Sequence, residues 1–271
     1  WTNIHGHAEA RIARAIGQQA HTLEQVILAG CSHAPAVELA ERLLARAPQQ
    51  AGHAPLAKVF YADNGSAGVE VALKMAYHWF HNQGIAGRTR FVALRGSYHG
   101  ETLGALSMGD LPLYRRVYAP LLLDVLFAPS PDAFGSRDEA GALACAEAAA
   151  DALAALFAAH ASEICAFILE PLVQCAGGMR MHHPHYLRRV RALCDAHGIF
   201  LIAYEIAVGF GRTGTLFACE QAGIQPDLLC LSKGLTGGFL PLCAVLATQQ
   251  IYDGFLDDSR ERAFLHSHSY S

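Results

Sequence analysis

A lysine placed directly after an apolar run can become a nucleophile. Leu228–Leu231 is such a run, and Lys233 follows it, with Gly234, Gly237 and Gly238 next in the chain. Glycines let the backbone turn tightly around a ligand. Open α/β sheets bind ligands beyond the carboxyl ends of their strands. A lysine held there and partly desolvated gives up its proton more readily and attacks a carbonyl carbon. Taken alone, Lys233 reads equally as a solvated loop lysine, so its surroundings must decide.

Those surroundings hold three further clusters. Residues 58–62 read as a short strand, followed by Asp63, Asn64, Gly65, Ser66, Ala67 and Gly68 and then a helix over 69–80. That order makes a phosphate cradle: amide groups at a helix start are unpaired and the helix dipole favours an anion. Ser66 adds a hydroxyl, or else serves as the N-cap. A strand at 90–94 leads into Gly96, Ser97, Tyr98, His99, Gly100 and Glu101. A buried strand at 164–169 ends on Glu170 and Pro171. Glu170 could accept a hydrogen bond beside a ligand or join a structural ion pair. Between them, residues 199–208 form a buried strand that carries Tyr204 and ends in Gly-Phe-Gly-Arg-Thr-Gly at 209–214.

The run Ile-Ala-Tyr-Glu-Ile-Ala-Val-Gly-Phe-Gly-Arg-Thr-Gly, with Leu-Ser-Lys-Gly-Leu-Thr-Gly-Gly downstream, closely resembles the class III (omega-type) aminotransferases, which use pyridoxal phosphate. The resemblance covers nearly the whole chain. It implies the large domain of a fold-type I pyridoxal-phosphate transferase, α/β, with a mostly parallel sheet and helices on both faces. It implies that Lys233 carries the cofactor covalently, that Gly65 and Ser66 hold its phosphate and that Tyr98 stacks on its ring. Glu170 and Tyr204 stand near the ring by the same resemblance, and His99 is a supporting residue. Trp1 and Tyr98 would wall the substrate, in a segment lying over the site. His266, Ser267, His268 and Ser269 match a family motif that reaches the cofactor of a partner subunit. By the same resemblance Ser267, which replaces the motif's glycine, would touch substrate, His268 would lie at the cofactor, and Ser269 supplies the phosphate-binding hydroxyl. A homodimer with shared sites follows. Within the family the motifs resemble members that move the amino group of S-adenosylmethionine onto 8-amino-7-oxononanoate, in biotin synthesis.

One departure matters most. The family has an aspartate where this chain has Tyr204. That aspartate pairs with the pyridine nitrogen and keeps it protonated, so that the ring draws electrons. A tyrosine, with a reference pKa of about 10, supplies no charge at neutral pH. Tyr204 is therefore expected to impair the chemistry while leaving the fold intact. Another class III aminotransferase, or an inactive member acting as a binding module, are the alternatives.

Two rival readings lose on spacing. The glycines at 209, 211 and 214 match the dinucleotide fingerprint, with Asp227 downstream. Yet Asp227 precedes a strand instead of ending one, and only residues 216–222 follow before Gly223. The histidines at 182, 183 and 185 are interrupted by Pro184 and lack a carboxylate or thiolate to complete a metal set.

The elements that must position these groups alternate along the chain, as a doubly covered sheet requires. Further helices are expected at 8–20, 37–45, 142–160 and 186–197. The chain has 271 residues, 52% hydrophobic and 16% charged, enough for a large core. Residues 1–45 read as a segment leading into the large domain, covering the site and touching a partner. Residues 46–271 read as the pyridoxal-phosphate-binding domain, stopping before a C-terminal small domain; the family's chains extend further at both ends. A net charge of −4 gives no reason to expect nucleic acid. No run approaching a ~20-residue membrane span stands out. The eight scattered cysteines suit reduced thiols in a cytoplasmic protein.

Overall fold

The computed structural model describes residues 1–268. The strands are Leu56–Ala62 (β1), Arg90–Leu94 (β2), Val125–Ala128 (β3), Ile164–Leu169 (β4), Val173–Gln174 (β5), Arg180–Met181 (β6), Phe200–Tyr204 (β7), Leu228–Leu231 (β8) and Cys243–Thr248 (β9). The helices are Ala10–Ala20 (α1), Ala34–Leu44 (α2), Gly65–Asn82 (α3), Leu103–Met108 (α4), Pro112–Arg115 (α5), Glu139–His160 (α6), His185–His197 (α7) and Gln249–Asp253 (α8).

Seven strands form one sheet in the order β1-β9-β8-β7-β4-β2-β3. The pairs from β8 to β3 are parallel, and β9 runs antiparallel to both β1 and β8. The sheet is thus mostly parallel, as expected. β3 and β9 are additions to the sequence reading. β5 and β6 make a separate small hairpin. Strands β4, β7, β8 and β9 are buried along their whole length, because helices cover both faces. Strands buried on both sides need apolar residues at every position, and their sequences are continuous apolar runs.

Side chains alternate between the two faces with period two. On one face Leu201 and Ala203 of β7 pack with Leu153 and Phe157 of α6 and Leu187 and Val190 of α7. On the other, Phe200, Ile202 and Tyr204 pack with Val69, Ala72 and Ala76 of α3. Tyr204 therefore ends its strand on the α3 side, and α3 is the helix that starts at Gly65. Gly68 allows this helix to lie close on β9: a Cβ there would come within 2.1 Å of Cys243 Sγ.

α6 corrects the reading that no segment reaches membrane-spanning length. It has 22 residues and is apolar enough to cross a membrane by length and composition. Here Ala146, Ala150, Leu153 and Phe157 face the core, while Glu147 pairs with His185 and Arg189 of α7.

Candidate active site

Lys233 follows β8 in a left-handed backbone conformation, with φ of +40°. Non-glycine residues rarely adopt it, and such strain tends to collect at functional sites. The side chain is half-buried, and burial pulls its pKa below the ordinary lysine value. It lines a cavity of about 380 Å³ with Gly65, Ser66, Tyr98, Tyr204 and Ile206. The ends of β1, β2, β7 and β8 thus meet at the carboxyl edge of the sheet.

At one side of the cavity α3 begins. Asn64, not Ser66, is its N-cap: Asn64 Oδ1 accepts the amide of Ala67 at 3.1 Å. The amides of Gly65 and Ser66, first in the helix, have no acceptor within it. Ser66 Oγ accepts from the amide of Glu101 at 3.1 Å, which leaves its proton free to donate toward the cavity. Gly100 permits this approach. Its φ is +125°, and a Cβ there would meet Ser66 Oγ at 2.3 Å and Ser66 Cα at 3.1 Å. Gly100→Ala is therefore expected to destabilise the protein by about 1–3 kcal/mol and to weaken anion binding at Ser66. Thermal unfolding and a binding titration with pyridoxal phosphate check this; unchanged values would contradict it.

Tyr98 forms another wall. Its hydroxyl donates to Glu101 Oε1 at 3.0 Å, and its ring meets Tyr114 edge-on at 5.8 Å. Glu170 lies behind Tyr98, not among the lining residues. Its two oxygens accept the amides of Tyr98 at 3.1 Å and Cys175 at 2.9 Å. Its structure-holding contacts are backbone amides, not the ion pair considered from sequence. Glu205, which the sequence reading passed over, does the same for the following loop. It accepts the amides of Ala218 at 2.7 Å and Cys219 at 2.8 Å. Its only signal in sequence was a charge inside an apolar run.

Burial pushes both carboxyls up to about 7. The folded state then holds protons that the unfolded state has lost between the ordinary carboxylate value and about pH 7. Stability should fall as pH rises through that window, each group subtracting up to about 1.4 kcal/mol per pH unit. Melting temperatures from pH 4.5 to 7.5 test this, and Glu205→Gln should flatten the fall.

Tyr204 is only 3% exposed and lines the cavity. Burial first, and then the nearby Glu170 charge, raise its pKa well above 10, so the phenol stays neutral. His99, fully buried, stands edge-on to it with ring centroids 4.9 Å apart.

The N-terminal segment does reach the cavity, but through Thr2. Trp1 lines a neighbouring cavity of about 330 Å³ with Cys175, Met179 and Arg212. Arg212 Nη2 donates to the Trp1 carbonyl at 3.3 Å. Ser267 is exposed, and His268 pairs with Asp63 at 2.8 Å; neither lines the cavity of its own chain. Ser269 lies outside the described residues. Asp227 pairs with Arg191 at 2.8 Å and accepts the amide of Leu201 at 2.7 Å, at the opposite strand ends from Lys233. The glycine loop at 209–214 opens only a short 3-10 turn, Ala218–Ala222. A dinucleotide site has neither its helix nor its ribose acid here.

Pyridoxal phosphate fits this cavity at two ends. Lys233 stands where its aldehyde could be taken, and the start of α3 with Ser66 offers donors to its phosphate. Tyr204, also on this cavity, would offer the ring a neutral phenol and no charge.

A family model for Aminotransferase class-III matches residues 1–267. The adenosylmethionine-8-amino-7-oxononanoate aminotransferase of Synechococcus elongatus is 49% identical over all of this chain and 62% of its own length. The crystal structure of the Methanocaldococcus jannaschii enzyme of that name superposes with a TM-score of 0.87 at 36% identity, covering 98% of this chain and 57% of that one. An amine transaminase from an uncultivated Pseudomonas species, in its PLP-bound internal aldimine form, superposes with a TM-score of 0.87 at 34% identity, covering 98% and 60%. The chain spans 50% to 62% of the length of the curated relatives it matches.

Proposed function

The chain belongs to the class-III aminotransferases, and from that membership we propose that it is the cofactor-binding part of a pyridoxal-phosphate-dependent aminotransferase. The observation that carries this reading is the convergence of Lys233, Ser66, Tyr98 and Tyr204 on one cavity. When bound, pyridoxal phosphate supplies an aldehyde that takes up an amino group and a ring that spreads the charge left by proton removal. Lys233, with its lowered pKa, is poised to attack a carbonyl and then to carry the proton at its Nζ. Gly65, Ser66 and the α3 dipole hold a phosphate. Tyr98 presents its ring to the cavity, and Glu170 fixes the backbone beneath it. Thr2 lines the same cavity from the N-terminal segment.

The substrates we propose are S-adenosylmethionine as amino donor and 8-amino-7-oxononanoate as acceptor, giving 7,8-diaminononanoate. The identity to relatives bearing that name supports the choice. Assaying the full-length protein carrying Tyr204→Asp against this pair, ornithine and omega-amino acids tests it. Preference for a donor other than S-adenosylmethionine would reject it.

We further propose a homodimer, with His268 and Ser269 serving the partner's cofactor. Ser267 is exposed and does not line the cavity of its own chain, which supports that arrangement. Sedimentation of the full-length protein should give a dimer; a monomer with full cofactor occupancy would refute the shared site. Eight unpaired cysteines, six of them buried, suit a reducing compartment, and the reading places the enzyme in the cytoplasm.

A further inference from the structure

Among the described residues Lys233 Nζ has no hydrogen bond or ion pair to hold it. Its aim toward the cavity is set by the backbone beneath it, and that backbone is strained, with φ of +40°. A side chain keeps such a conformation only where the surrounding structure over-determines it. Three contacts lie within the turn itself. Ser232 Oγ donates to the Leu242 carbonyl at 2.6 Å, the Leu235 amide to the Ser232 carbonyl at 2.9 Å, and the Gly237 amide to the Gly234 carbonyl at 3.1 Å. A fourth comes from another loop. The Phe210 side chain lies on Gly234, so closely that a Cβ on Gly234 would meet Phe210 Cβ and Cδ2 at 3.0 Å. Phe210 is itself held in the left-handed region, with φ of +59°. Glu205 grips its loop at both ends: the Glu205 carbonyl accepts the Gly209 amide at 2.9 Å, and its carboxyl group accepts the amides of Ala218 and Cys219. The Gly211 amide donates to the Leu216 carbonyl at 3.2 Å and closes the loop between them. Behind Phe210 stands the fully buried Phe217, edge-on, with ring centroids 5.8 Å apart.

We propose that Phe210 is a positioning residue for Lys233: its ring, backed by Phe217, bears on Gly234 and keeps the turn that aims Nζ into the cavity. Phe210 acts through the backbone of Gly234. Neither residue lines the cavity, so the ring has no place against a ligand there. Without the ring, the space over Gly234 opens and the strained turn relaxes toward ordinary backbone angles. The amine then moves off its line of attack, and a displacement of about 1 Å can cost a reaction roughly 10²-fold. The proposal rests on the aminotransferase reading only for why the aim of Lys233 matters; the clamp stands on the packing of the two loops.

The test compares the full-length parent with Phe210→Gly and Phe210→Tyr. Glycine removes the ring and suits the left-handed backbone at 210; tyrosine keeps the ring. Stopped-flow absorbance follows uptake of pyridoxal phosphate by Lys233, and thermal unfolding follows the fold. Uptake should slow roughly tenfold or more in Phe210→Gly and stay near the parent rate in Phe210→Tyr. A lowered melting temperature with an unchanged uptake rate would reduce Phe210 to packing and overturn the proposal. If Phe210→Gly does not fold, Gly234→Ala reaches the same contact from the other side. Its Cβ displaces the ring and should slow uptake likewise; an unchanged rate would overturn the proposal. A second reading needs no cofactor. The cofactor-free parent and Phe210→Gly are labelled with an amine-specific reagent across a range of pH and mapped by peptide, with Lys58 and Lys74 as internal references. The pH midpoint for Lys233 should rise in Phe210→Gly, because the amine leaves the half-buried place that lowers its pKa. The same midpoint in both chains would reject the clamp. Failure of the parent to take up cofactor on Lys233 would sink the functional reading and leave this labelling comparison intact.

Discussion

Tyr204→Asp is expected to raise transamination by roughly 10²–10³, the effect of restoring one preorganised electrostatic contact worth about 3–4 kcal/mol. The physical reason lies in charge. Tyr204 is buried, and its phenol stays protonated across the neutral range. It can exchange a hydrogen bond with a ring nitrogen but cannot stabilise a positive charge there. An aspartate would keep that nitrogen protonated and strengthen its pull on electrons when the charge matters, in the transition state. Tyr204 also fills space that a shorter side chain would leave to the ring. The fold should tolerate either residue. Tyrosine suits a strand, and here it packs among Ile202, Cys230 and Val245 in the α3-side core. Turnover and melting temperature of the two forms are the measurements. Equal rates would show that charge at position 204 does not limit the reaction.

Lys233→Ala is expected to lower turnover by at least roughly 10⁴-fold, the scale on which enzymes lose rate with their covalent nucleophile. Folding should persist, since among the described residues the ammonium makes no hydrogen bond or ion pair, and the left-handed backbone at Lys233 is shared with Gly237 and Gly238. The visible or near-ultraviolet absorption of lysine-bound cofactor should vanish, while thermal unfolding in its absence stays near that of the parent. Substantial residual turnover would move the nucleophile elsewhere.

The parts of this account that were legible in sequence share a physical cause. β4 and β8 match the bounds read from the chain, because strands covered on both faces must be apolar throughout. Lys233, Ser66, Tyr98 and Tyr204 were recognisable because each sits at a strand or helix end inside a long motif. The position of β9 was not legible: it is antiparallel between β1 and β8, and sheet order depends on packing across the chain, not on neighbours in sequence. For Glu170 the sequence left a hydrogen-bond acceptor and an ion-paired residue both open; the structure shows an acceptor, and the amides it serves, of Tyr98, 72 residues away, and of Cys175, could not be named from sequence.

The central claim is that Lys233 in this cavity carries the cofactor. Borohydride reduction of the full-length protein saturated with pyridoxal phosphate, followed by peptide mapping, tests it most directly. The account predicts a single pyridoxyl label on the peptide containing Lys233. A label on another lysine, or none at saturation, would contradict it.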